Sequence, residues 1–267
     1  MLIVAAKVLL TPILLVASML AARKWGPVVG GWLLGLPLVS GPVSMFLFVE
    51  HGPRFAENAA RGALLGLVAA GAFCVCYAFA ARRLPWWSSL ATAYAVCFGA
   101  IWMLSLVHLG IGWTLVLVLT TLLLLARVIH APESVEPVPA PRVTGMLARM
   151  AIASTIVMLL TASAGVLGSQ AAGLLAPLPV LAAIMTASSH RRSGAGAANG
   201  LLRGAVVGSW GGAAFFAVVV ALIGIVGPVP TYLGATVAAL LVAAIAMRVS
   251  ARTEHLFSLH TLRTLRA

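Results

Sequence analysis

Apolar runs set off by polar or helix-breaking residues divide this chain. A helix of about 20 apolar residues crosses roughly 30 Å of hydrocarbon. Nine runs reach that length, at about 2–22, 27–49, 60–81, 86–106, 109–128, 144–167, 169–189, 200–225 and 229–249. They predict an all-α polytopic membrane protein with nine transmembrane helices. Lys7 lies inside the first run rather than before it, and a second run follows at once, so residues 1–22 read as a retained span and not a cleaved signal peptide. Between the fifth and sixth runs, residues 130–143 are rich in proline and partly acidic, as expected of an extended, semi-rigid linker. Residues 251–267 alternate Leu256, Leu259 and Leu262 with Arg252, Arg263 and Arg266. They read as a short helix on an anionic leaflet or as a frayed tail.

The runs are not independent of one another. Residues 26–82 align without gaps on residues 168–224, at a constant offset of 142. Gly26, Gly31, Leu33, Leu36, Pro37, Gly52, Arg61, Gly62, Gly66 and Phe73 recur as Gly168, Gly173, Leu175, Leu178, Pro179, Gly194, Arg203, Gly204, Gly208 and Phe215, and Lys7 falls on Arg149. The expected organisation is therefore repeat A (1–106), a connecting helix (107–129), the linker (130–143), repeat B (144–250) and a tail (251–267).

Composition supports the bilayer and gives an orientation. The chain is 62% hydrophobic and 8% charged, with a mean hydropathy of +1.11. Soluble domains are about 45–50% apolar and about 25% charged. There is no Asp, and five acidic against 17 basic residues leave a formal net charge of +12. The basic residues stand singly or in pairs at the ends of apolar runs, where they orient helices, so nucleic acid is not an expected partner. With nine spans, Arg23, Lys24, Arg82, Arg83, Arg127, Arg142, Arg191, Arg192 and Arg248 share one side, and the other receives only Arg54 and Arg61. The positive side is cytoplasmic, which puts the amino terminus outside, the carboxyl terminus inside, and the chain in a bacterial inner membrane. An odd number of helices separates the two copies. They are thus expected to cross in opposite senses, as a 4+1+4 inverted repeat, a plan that recurs among transporters.

Candidate chemistry follows the duplicated positions. Pro37 and Pro179 sit near the middles of the second and seventh runs, with Gly35, Gly41, Pro42 and Pro177 close by. A mid-helix proline removes a backbone hydrogen bond, and in lipid the freed groups need partners in a neighbour or a polar cavity. These two runs are expected to be broken helices lining a mid-membrane site; a simple kink is the plainer alternative. Lys7, Arg61, Arg149 and Arg203 are expected anion contacts, two in each half of the membrane, although snorkelling to headgroups serves equally for side chains near an interface. Ser40, Ser44, Thr186, Ser188 and Ser189, in the outgoing halves of the broken runs, can hydrogen-bond a ligand or satisfy interrupted backbone. The Gly62-x-x-x-Gly66 and Gly204-x-x-x-Gly208 pairs read as close helix packing. His51, His108 and His190 read as interfacial, and Cys74, Cys76 and Cys97 as small core residues with no ligand spacing. No acidic residue lies inside an apolar run, so neither a carboxylate proton relay nor a carboxylate sodium site is expected. No nucleophile–base set, phosphate loop or metal cluster is present in the sequence. Neither an enzyme nor a cofactor is expected.

One unit resembles the small bacterial inner-membrane GlpM family. The shared features are an early Lys7, the segment Gly31 to Pro37, then Gly52, Arg61 and Phe73, repeated as Arg149, Gly173 to Pro179, Gly194, Arg203 and Phe215. The chain looks like two such units fused through one extra helix. The resemblance implies a membrane protein with a link to cell-surface or polysaccharide phenotypes and supplies little mechanism. The leading expectation is a secondary transporter or exporter of a small anionic solute, working by alternating access. The alternatives are a flippase for an anionic lipid or lipid-linked precursor, and a non-transporting scaffold of an envelope-assembly complex. Expected partners are the bilayer and a small anionic ligand, and a homo-oligomer is compatible with the sequence.

Overall fold

A computed structural model describes residues 23–107, 109–129 and 166–250, the backbone of 251–264, and single positions between 13 and 21 and between 151 and 163. Lys7, His108, Arg149 and the linker 130–143 lie outside the described residues. Among the described residues there is no β-strand. The helices are α1 (Pro27–Gly35), α2 (Ser40–His51), α3 (Pro53–Ala80), α4 (Trp86–Ser105), α5 (Ile111–Val128), α6 (Ser169–Leu175), α7 (Val180–Leu222) and α8 (Pro228–Thr264).

Six stretches among the described residues are long and apolar enough to cross a membrane: Pro27–His51, Pro53–Ala80, Trp86–Ser105, Ile111–Val128, Ser169–Leu222 and Pro228–Ser250. The fifth is 54 residues long, or about 80 Å if straight at 1.5 Å per residue. It is not straight. Gly194 inside α7 has φ 81° and ψ −177°, a conformation open to glycine. Met185 and Leu201 pack together across it, so α7 folds into two legs, α7a (180–193) and α7b (195–222).

Helix boundaries depart from the apolar runs where polarity misleads. The third and eighth runs begin near residues 60 and 200, yet α3 starts at Pro53 and α7b at residue 195. Arg54, Glu57 and Asn58 occupy the first turns of α3 without ending it, because a helix can extend beyond the hydrocarbon. Arg61 consequently lies two turns inside α3 rather than at its start. The last helix likewise continues to Thr264 instead of stopping near residue 249.

The bundle has an inside and an outside. In the most apolar stretch of α3, 67% of residues are buried, and 56% in that of Ser169–Leu222, against 17% for α4 and 22% for α5. The broad exposed faces of α4, α5 and α8, with Trp102, Trp113, Leu124, Leu233 and Leu241, suit contact with lipid chains. At the centre, glycines let backbones meet. A Cβ added at Gly62 would run into the Gln170 carbonyl, and one at Gly204 into that of Val28. Gly66 similarly faces the Leu174 carbonyl and Gly208 that of Trp32, while Gly31 faces Leu201 and Gly173 faces Ala59. In each pair of contacts, the second is the first with its two partners moved by 142 residues in opposite directions. Backbone conformation follows the same spacing: Gly26 and Gly168 have φ 91° and 82°, Gly52 and Gly194 have φ 85° and 81°.

Candidate functional site

Two interruptions of helix meet at one cavity. Between α1 and α2 the chain leaves helical geometry at Leu36, with φ −66° and ψ 152°. Pro37 has no N–H to give the Leu33 carbonyl, and local bonds from Leu38 N–H to Leu36 and from Gly41 N–H to Pro37 take over. Between α6 and α7, Pro179 breaks the helix at φ −79° and ψ 54°, and Val180 N–H turns back to the Leu178 carbonyl at 2.7 Å. The second and seventh runs are therefore broken helices, as their prolines predict.

The cavity between the breaks has a volume of about 120 Å³. Gly35, Pro37 and Ser40 line it from one break, and Pro177, Pro179 and Ala182 from the other. Leu67, Ala70 and Cys74 of α3 and Ser209, Gly212 and Phe216 of α7b complete its walls. Each of these α7b residues stands 142 positions after one of the α3 residues. Among the described residues, no charged side chain lines the cavity. Its polarity comes from the Ser40 and Ser209 hydroxyls and from helix ends. The Ser209 hydroxyl already donates to the Ala205 carbonyl at 2.8 Å. α2 and α7a begin at the cavity and α1 and α6 end there, so positive and negative helix-dipole ends meet at it, although the Gly41, Val43, Val180 and Ala183 N–H groups already bond the Pro37, Val39, Leu178 and Pro179 carbonyls.

The other expected site residues lie around this centre. Gly41 packs on the Phe215 ring, and Pro42 lies in the first turn of α2. Ser44 shares a 3.1 Å hydrogen bond with the Tyr232 hydroxyl. Thr186 is fully buried, and its hydroxyl has no partner among the described residues. Arg61 is outside the cavity, half-exposed and bonded to Glu57 at 2.7 Å one turn earlier. Arg203 is also outside it and reaches the Ser250 hydroxyl at 3.4 Å. The break residues thus converge on the cavity and the described cations do not. The α3 and α7b walls were not singled out from sequence, although Leu67, Ala70 and Cys74 carry helical spacing and their partners carry the same offset.

Among the described residues no group of three His, Cys, Asp or Glu is placed to hold a metal ion. Compared with known protein families, with curated proteins and with solved structures, the chain matches none.

Proposed function

We propose that this protein is a secondary transporter of a small anionic solute, which occupies the cavity between the two broken helices. The observation that carries this reading is the convergence of both helix breaks on one cavity in the middle of an apolar bundle. Irregular backbone is tolerated at membrane depth where it lines a cavity or is buried in protein, and discontinuous helices at a repeat interface are a recurrent way to build a transport site. The coincident glycine conformations and exchanged contacts at offset 142 support reading the two halves as an inverted repeat. On that reading nine helices cross a bacterial inner membrane, with the amino terminus outside, and rocking of one half against the other alternates access. The likeness to GlpM belongs to this same proposal.

The cavity constrains the solute. Its volume of about 120 Å³ admits a small solute. The positive dipole ends at the starts of α2 and α7a favour negative charge, whereas the negative ends of α1 and α6 favour a donor. A small carboxylate that also bears a hydroxyl meets both demands.

Glycolate is a suitable probe. In proteoliposomes it should enter saturably, and Ala70→Leu, which fills the cavity from α3, should abolish entry while leaving the protein monodisperse in detergent. No entry of glycolate or nitrate, together with transbilayer movement of a labelled anionic lipid, would replace this reading with a flippase.

A further inference from the structure

The helical Ser and Thr side chains of this protein commonly satisfy themselves one turn back. Ser209, Thr120, Thr231 and Thr236 donate to the carbonyls of Ala205, Val116, Gly227 and Tyr232 at 2.6–2.8 Å. Thr186 does not, although it is fully buried. An unmet hydroxyl in an apolar interior costs about 1–3 kcal/mol, which motivates looking for what meets it.

Its place in α7a supplies a candidate. One turn before Thr186 is Ala182, a cavity residue, and one turn after it is His190. Residues four apart share a helix face. On the facing helix, Cys74 lines the cavity, and Tyr77, one turn further, meets His190 Nδ1 through its hydroxyl at 3.3 Å. The α3–α7a seam thus links the cavity to the Tyr77–His190 pair, and Thr186 lies between Ala182 and His190 along α7a. Past that pair stands Arg191, exposed and 6.0 Å over the Trp86 ring.

The corresponding positions of the other half are closed. Ser44, the counterpart of Thr186, is bonded to Tyr232. The counterpart of Tyr232 is Leu90, which has no hydroxyl to offer Thr186. Phe48 and Val219 stand where His190 and Tyr77 stand in the first seam.

We propose that the α3–α7a seam is the route between the cavity and the Arg191 side, and that Thr186 is a second binding step for the same small anion. The inference rests on the transport reading. The Thr186 hydroxyl donates to the anion, Tyr77 and His190 add donors when their mutual bond opens, and the Arg191 charge draws the anion to the mouth.

The test uses cysteine accessibility in full-length protein whose Cys74, Cys76 and Cys97 are replaced by alanine. Thr186→Cys in proteoliposomes should react with a membrane-impermeant thiosulfonate about tenfold faster from the Arg191 side than from the other, since labelling follows local opening. Tyr77→Phe should accelerate it, and glycolate should slow it. Ser44→Cys should stay inert. Thr186→Cys as inert as Ser44→Cys, equal reaction from both sides, or indifference to glycolate overturns the inference. If Thr186→Cys does not fold, His190→Cys at the half-buried mouth is read the same way. Glycolate flux with an inert Thr186→Cys removes the seam alone; protection without flux removes the transport reading alone.

Discussion

The Ser44 hydroxyl lies 3.1 Å from that of Tyr232, a hydrogen bond between residues 188 apart that ties α2 to α8. Both groups are buried, so neither has water as an alternative partner. Interhelical hydrogen bonds in membrane proteins average about 0.6 kcal/mol and reach about 1.7. Ser44→Ala and Tyr232→Phe should each lower unfolding free energy by about that much, and the double variant should lose little more than either single one. Full additivity in a detergent-unfolding cycle would show that the hydroxyls do not interact.

Gly62 and Gly204 should be equally intolerant of a methyl group, because each abuts a carbonyl of the opposite half. Alanine is favoured over glycine in a helix by about 1 kcal/mol, yet overpacking of this kind costs about 1–3 kcal/mol. Gly62→Ala and Gly204→Ala should therefore destabilise. Gly99→Ala, with nothing within 4 Å of the added Cβ, should be neutral or stabilising. Urea or SDS unfolding of the three variants decides it, and a stable Gly204→Ala would contradict the close approach.

The helix breaks were more legible in the sequence than the walls of the cavity. Proline has a local, context-free effect on helix geometry, so Pro37 and Pro179 announced interruptions that the structure shows. Arg61 was obscured by the boundary of its helix. A cation beside an apolar run reads the same whether it faces a cavity or a carboxylate, and its i,i+4 pairing with Glu57 becomes legible only once α3 is seen to begin at Pro53 rather than near residue 60. The walls at Leu67 and Ser209 were hidden for another reason. Apolar residues on a buried helix line a void or fill a core with the same periodicity. Helix starts at Pro53 and residue 195 were obscured because charge ends an apolar run without ending a helix.

Gly52 and Gly194 join consecutive helix legs at φ 85° and 81°. With ψ near 180° at both, this is a region essentially confined to glycine, and holding another residue there costs about 1–3 kcal/mol. Gly52→Ala and Gly194→Ala should each lose about that amount, with no steric contribution, since neither added Cβ meets an atom within 4 Å. Asparagine, whose tolerance of positive φ belongs to the left-handed helical region with ψ of about +30 to +60°, should lose as much as alanine at both positions. A loss for asparagine well below that for alanine would show that the backbone relaxes into the left-handed helical region on substitution.

Arg61 provides the sharpest separation between a contact and a field. It lies outside the cavity lining, with its side chain 44% exposed and paired to Glu57. An exposed pair of this kind contributes about 0–1 kcal/mol to stability, so Arg61→Gln should unfold almost as the parent does. Its charge can still concentrate anions at the membrane surface, an effect that fades with ionic strength. At low salt Arg61→Gln should slow glycolate entry a few-fold. Near 1 M salt, where the screening length is about 3 Å, the parent and variant rates should converge. Ala70→Leu should block entry at every salt concentration, because it acts on cavity volume rather than on charge. Were Arg61→Gln to abolish entry regardless of salt, the arginine would have to touch the solute itself, and the binding site would have to extend from the cavity towards the amino-terminal turns of α3.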